Sequence, residues 1–117
     1  MTPSDVERIE ERLATSLPGG YREFLLAYPD DAPEEVRRFD LFDEPGALVE
    51  ETLVFRRYLG DEASPERLAV IGDSGCGDRV CLDLATAEVL FWSHAEESFV
   101  PLAASVEEYY AAVVEAV

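Results

Sequence analysis

Residues Leu68 to Tyr110, LAVIGDSGCGDRVCLDLATAEVLFWSHAEESFVPLAASVEEYY, decide the fold. Leu68-Ala69-Val70-Ile71 has no polar alternate, which predicts a strand buried on both faces. Gly72 to Asp78 holds three glycines and predicts a turn. Val80, Leu82 and Leu84 alternate with Arg79, Cys81 and Asp83, the pattern of a half-buried strand. Ala85-Thr86-Ala87 returns the chain into a partner strand from Glu88 to Trp92. The polar loop Ser93 to Ser98 leads to a short strand at Phe99-Val100. Ser105-Val106-Glu107-Glu108 then reads as a capping box, opening a helix through Tyr109, Tyr110 and Val113.

Upstream, the apolar period is helical. Ser4-Asp5-Val6-Glu7 predicts a capping box, and Val6, Ile9 and Leu13 line one face of a helix ending near Thr15. Leu17-Pro18-Gly19-Gly20 breaks it, with Pro18 suited to the next first turn. Tyr21, Phe24, Leu25 and Tyr28 form a second amphipathic face, and Pro29 to Pro33 stops that helix. Val36 to Phe42 alternates weakly, with Phe39 and Leu41 against Arg38 and Asp40, which predicts a short strand. From Ala47 to Leu59 the helical period returns, with Gly60 placed to end it. Asp61 to Pro65 is the connecting loop.

With 117 residues the chain is expected to be one domain, residues 1–117, large enough to bury roughly two-thirds of its unfolded surface without disulfide or metal. No apolar run approaches the roughly 18 residues that span a bilayer, and the acidic start MTPSDVERIEER is unlike a secretory signal. A cytoplasmic location with reduced Cys76 and Cys81 is therefore expected. Acidic residues number 26 against 9 basic ones, a net charge of −17, and every basic residue is arginine. Such a field repels nucleic acid and anionic membranes and speeds encounter with a basic partner. A high-GC coding bias or a salt-adapted proteome produces the same composition.

Gly72-Asp73-Ser74-Gly75 matches the tetrapeptide around the nucleophile of trypsin-like proteases. The single histidine, His94, follows the serine rather than preceding it, and that protease fold needs about twice this length. No catalytic residue is therefore assigned. Cys76, Cys81 and His94 are too few soft ligands for a closed zinc site, and no phosphate-binding loop is present, so neither metal nor cofactor is expected. Trp92 and His94, two apart on a strand end, should share a face. A tryptophan closing the core beside a solvated histidine gives that pattern, as does an aromatic anchor on a binding surface. For the second case the rim is Asp73, Asp78, Glu96 and Glu97.

The order of these elements resembles the SUKH superfamily, which includes fungal cell-wall-synthesis regulators and many bacterial immunity proteins. Val6 to Tyr28 is similar to its opening helices, with Leu17-Pro18, Tyr21 and Phe24-Leu25. Leu68 to Gly77 is similar to its strand and glycine-rich turn. Val80-Cys81-Leu82-Asp83 with Val89 to His94 is similar to its central hairpin, and Ala104 to Tyr109 to its closing helix. Pro29 to Pro65 is not covered, and Pro29-Asp30-Asp31 replaces the family's frequent asparagine-glycine turn. The resemblance implies an α+β domain, a mainly antiparallel central sheet flanked by N-terminal and C-terminal helices. It also implies no enzyme activity and a protein partner, in bacterial members frequently a toxin's catalytic domain; the acidic charge suits one with a basic, nuclease-like surface. A housekeeping scaffold or regulatory module is the alternative. Asp73, Asp78, Trp92, His94, Glu96 and Glu97 are the expected partner contacts.

Overall fold

The structure, a computed structural model, describes residues 1–60, 64–74 and 76–116. Residues 61–63 of the predicted connecting loop and Gly75 of the predicted glycine turn lie outside the described residues. The first helix, α1 (Pro3–Leu13), is capped by Thr2: its Oγ1 accepts from the Asp5 amide at 3.1 Å, and Asp5 Oδ2 accepts from the Thr2 amide at 3.0 Å. The predicted box at Ser4 and Glu7 thus lies two residues too late. Pro3, with no N–H and a preset φ, suits the first helical position, and that makes Thr2 the cap. Helix α1 buries Val6, Ile9 and Leu13 and closes at Ala14, whose φ is 54°.

Helix α2 (Gly19–Leu26) buries Tyr21, Phe24 and Leu25, as the period predicts, but ends before Tyr28, which is half-buried and donates its hydroxyl to Leu41 O. The expected strand between Val36 and Phe42 is instead a π-helical turn, Val36–Asp40, with the Leu41 amide donating to Val36 O at 2.8 Å. The Arg37 guanidinium winds this segment against the loop before it, donating to the carbonyls of Pro29, Asp30 and Ala32. Phe39 and Leu41 therefore share no strand face: Leu41 is buried, whereas Phe39 is 42% exposed. Helix α3 (Pro45–Leu59) buries Leu48, Val49, Thr52 and Phe55 and ends at Gly60.

Strands β1 (Leu68–Asp73), β2 (Arg79–Asp83), β3 (Val89–Ser93) and β4 (Ser98–Ala103) form one antiparallel sheet in that order. A register shift at Ile71 sets Val70 opposite Cys81 and Gly72 opposite Val80. Gly72 is thus a strand residue, not part of a turn. Its role is close approach: a Cβ there would lie 2.6 Å from the Asp40 carbonyl carbon and nearer still to its oxygen. The expectation of a half-buried β2 is also corrected, since Val80, Cys81 and Leu82 are all buried. Strand β2 lies inside the sheet between β1 and β3, and helix α3 and the π-helical turn pack on the adjoining β1.

The outer edge of β1 is sealed by neighbouring groups. The Phe42 amide donates to Ile71 O at 2.8 Å, and the Val70 amide donates to the buried Thr52 Oγ1 at 2.8 Å. Strand β4 extends beyond the predicted Phe99-Val100 pair. The final helix, α4 (Val106–Ala116), contacts α2, β4 and the π-helical turn. Buried apolar residues from all four helices join those of the sheet in one core.

Ser105 caps α4 as predicted, its Oγ accepting from the Glu108 amide at 3.2 Å. Ser105→Ala should cost about 1 kcal/mol. Tyr109 is buried, so Tyr109→Ala should cost roughly 3 kcal/mol. Urea denaturation measures both, and equal, negligible losses would mean that α4 is not docked.

Candidate partner-binding surface

The β1–β2 and β3–β4 turns meet at one end of the sheet. Asp78 Oδ1 accepts from the His94 amide at 2.7 Å, a side-chain bridge between the two hairpins. Gly77, with φ 95°, lies under the imidazole, where a Cβ would come within 3.3 Å of the His94 Cγ. Its carbonyl accepts from Arg79 Nη1 at 2.6 Å. The first turn is held further by Ser74, whose Oγ accepts from the Cys76 amide at 3.3 Å. In the second turn the Glu97 amide donates to Ser93 O at 2.7 Å and the Glu96 amide to Ser93 Oγ at 3.2 Å. These bonds hold the backbone while the Glu96 and Glu97 side chains stay exposed.

Aromatic rings support this end from below. Trp92 packs edge-on to Phe55 at 5.0 Å and to Tyr58 at 5.5 Å, and tilted against His94 at 6.0 Å. Tyr58 Oη reaches over to donate to Glu97 Oε1 at 2.8 Å. Trp92 and His94 share a face, as strand alternation requires, but Trp92 is only 3% exposed. Its indole is the floor under His94 and Tyr58 and leaves little area for a partner to touch. Asp78, His94 and Glu97 are therefore brought together around Trp92, with Glu96 on the same turn. Asp73 lies at the end of β1, opposite Arg79.

Tyr58 and Arg79 belong to this surface, and neither was singled out from the sequence. Tyr58 is 55% exposed, and only its spacing of three from Phe55 hints that it joins the aromatic group. Arg79 lies with its guanidinium 5.6 Å from the centre of the Phe55 ring and its Nε 3.8 Å from Glu51.

Ser74 serves the turn, and among the described residues no hydrogen bond joins it to His94. No group of three His, Cys, Asp or Glu side chains among the described residues is arranged to hold a metal. Cys76 and Cys81 are both free thiols. Burial pushes the Cys81 thiol up to about 12 despite the nearby Arg79 charge, so it stays protonated and unreactive near neutral pH. No helix among the described residues is long and apolar enough to cross a membrane.

Helices at both ends and an antiparallel sheet with a central hairpin between them are the features that the resemblance implied. The model of the SMI1/KNR4 family (SUKH-1) matches residues 1–112. The chain belongs to this family. The SUKH-1 match includes the stretch from Pro29 to Pro65 that the motifs left uncovered, so the π-helical turn and α3 lie within the family region. No curated protein and no solved structure matched the chain.

Proposed function

We propose that this SUKH-1 chain is a non-catalytic protein-binding domain acting in the cytoplasm as an immunity protein. It masks a bacterial toxin domain whose surface is basic. The observation that carries this reading is the convergence of Asp78, Glu96 and Glu97 on two cross-braced turns, in a chain of net charge −17. Carboxylates gathered at one end of the sheet attract a cationic surface at long range and present acceptors to arginine and lysine at contact. Asp73 and the His94 ring complete the contact rim, and Trp92 supports it from beneath. Nuclease domains, which must bind polyanions, carry the basic surface that such a rim fits.

Candidate toxin domains are to be sought among the products of adjacent genes. Association with the cognate domain should slow roughly tenfold between low and high salt, because the encounter is electrostatically steered. Glu96→Lys with Glu97→Lys should slow it further while leaving the melting temperature nearly unchanged, since both side chains are exposed. Stopped-flow kinetics that ignore both salt and the double reversal would exclude this surface.

A further inference from the structure

Five of the nine arginines hold hydrogen bonds or ion pairs: Arg22, Arg37, Arg56, Arg67 and Arg79. Arg38 lies over the Phe39 ring. The remaining three, Arg8, Arg12 and Arg57, make no hydrogen bond or ion pair among the described residues, although acidic residues outnumber basic ones almost threefold. All three line one groove of about 520 Å³ between α1 and α3. Its floor is aliphatic, with buried Ile9 and Val49, half-buried Leu53 and exposed Val54.

The two helices are fixed beside each other. Arg56 Nη1 donates to Leu13 O at 3.4 Å while its Nε and Nη2 donate to Leu68 O. Arg8 and Arg12 stand one turn apart on α1, and Arg57 rises from the last turn of α3. Glu50 is the acidic residue among the lining groups, and Asp5, which feels the Arg8 charge, is committed to the Thr2 cap. Lining positions on α3 run from Pro45 to Arg57, a trough of roughly 18 Å at 1.5 Å per residue. That length suits a peptide of about three helical turns better than a single small anion.

We propose that this groove docks an acidic amphipathic peptide segment of a partner protein. Its aliphatic side chains lie on Val49, Leu53 and Val54, and its carboxylates meet Arg8, Arg12 and Arg57. The site is distinct from the acidic turns and takes a partner of the opposite charge to the one proposed for them. It does not rest on the immunity reading.

The probe is a fluorescein-labelled 15-residue helical peptide of Leu, Ala and Glu, with the Leu on one face and the Glu flanking it. A second peptide carries Gln for Glu. Fluorescence anisotropy should show binding of the Glu peptide, weakened about tenfold or more by Glu→Gln. The triple variant Arg8→Gln, Arg12→Gln, Arg57→Gln and the single variant Val54→Asp should each weaken it similarly. Circular dichroism should show both variants folded, and the Glu96/Glu97 double reversal should bind the peptide as the parent does.

Absence of binding at millimolar peptide overturns the proposal, as does equal affinity for the Gln peptide. So do unchanged affinity in the triple variant, a dimer that occupies the groove in sedimentation, and decanoate binding as tightly as the peptide. If the triple variant loses helix stability, Val54→Asp, at an exposed position remote from the helix ends, still decides the outcome.

Discussion

Gly72→Ala is expected to destabilise the fold by more than about 3 kcal/mol. The added methyl would stand 2.6 Å from the Asp40 carbonyl carbon and 2.7 Å from Phe39 O, closer than real side-chain carbons come. Both neighbours are main-chain atoms of the π-helical turn, so no rotamer change relieves the contact. Either β1 or that turn must move, and β1 is held by the Phe42 amide on Ile71 O and by Thr52 on the Val70 amide. Urea unfolding should show a lower midpoint with an unchanged slope. Gly19→Ala is the matched control, since nothing lies within 4 Å of a Cβ at Gly19. A similar small effect at both positions would mean that the approach over Gly72 is loose.

The second large effect is expected at Phe55. Its ring is 2% exposed and touches Trp92, Tyr58 and Phe99, with the Arg79 guanidinium on its face. Truncation to alanine removes the shared centre of that group and should cost about 4 kcal/mol. Phe55→Leu refills much of the volume and should recover more than half of the loss. Because Trp92 rests on Phe55 and carries Tyr58 and His94, the alanine variant should also blunt Trp92 near-ultraviolet dichroism before global unfolding. Loss of stability without that spectroscopic change would disconnect the core from the turn surface.

Periodic patterns were legible wherever one apolar face meets one polar face, as in the helices α1, α2 and α3. They misled where the deciding contact lies outside the repeating pattern. Two overlapping caps, Thr2 with Asp5 and Ser4 with Glu7, fit the same rule, and Pro3 selects between them. The segment at Val36 winds because Arg37 binds carbonyls of the preceding loop, which alternation does not register. Gly72 looked like turn chemistry because the Asp40 backbone above it comes from a distant part of the chain.

At the candidate surface, grouping the turn at Asp78 with the loop after Trp92 was an expectation that the sequence did not prove, and the strand order sets both at one end of the sheet. Tyr58 and Arg79 were not part of that grouping, since their places depend on how α3 crosses the sheet.

The Asp78 bridge to the His94 amide has a thermodynamic consequence for encounter. Two free hairpin tips would each sample many shapes on the nanosecond-to-microsecond scale, and a partner would have to freeze both. Here one hydrogen bond couples them before any partner arrives, so part of the ordering entropy is lost during folding rather than on docking. A bound complex then gains lifetime without a single additional contact.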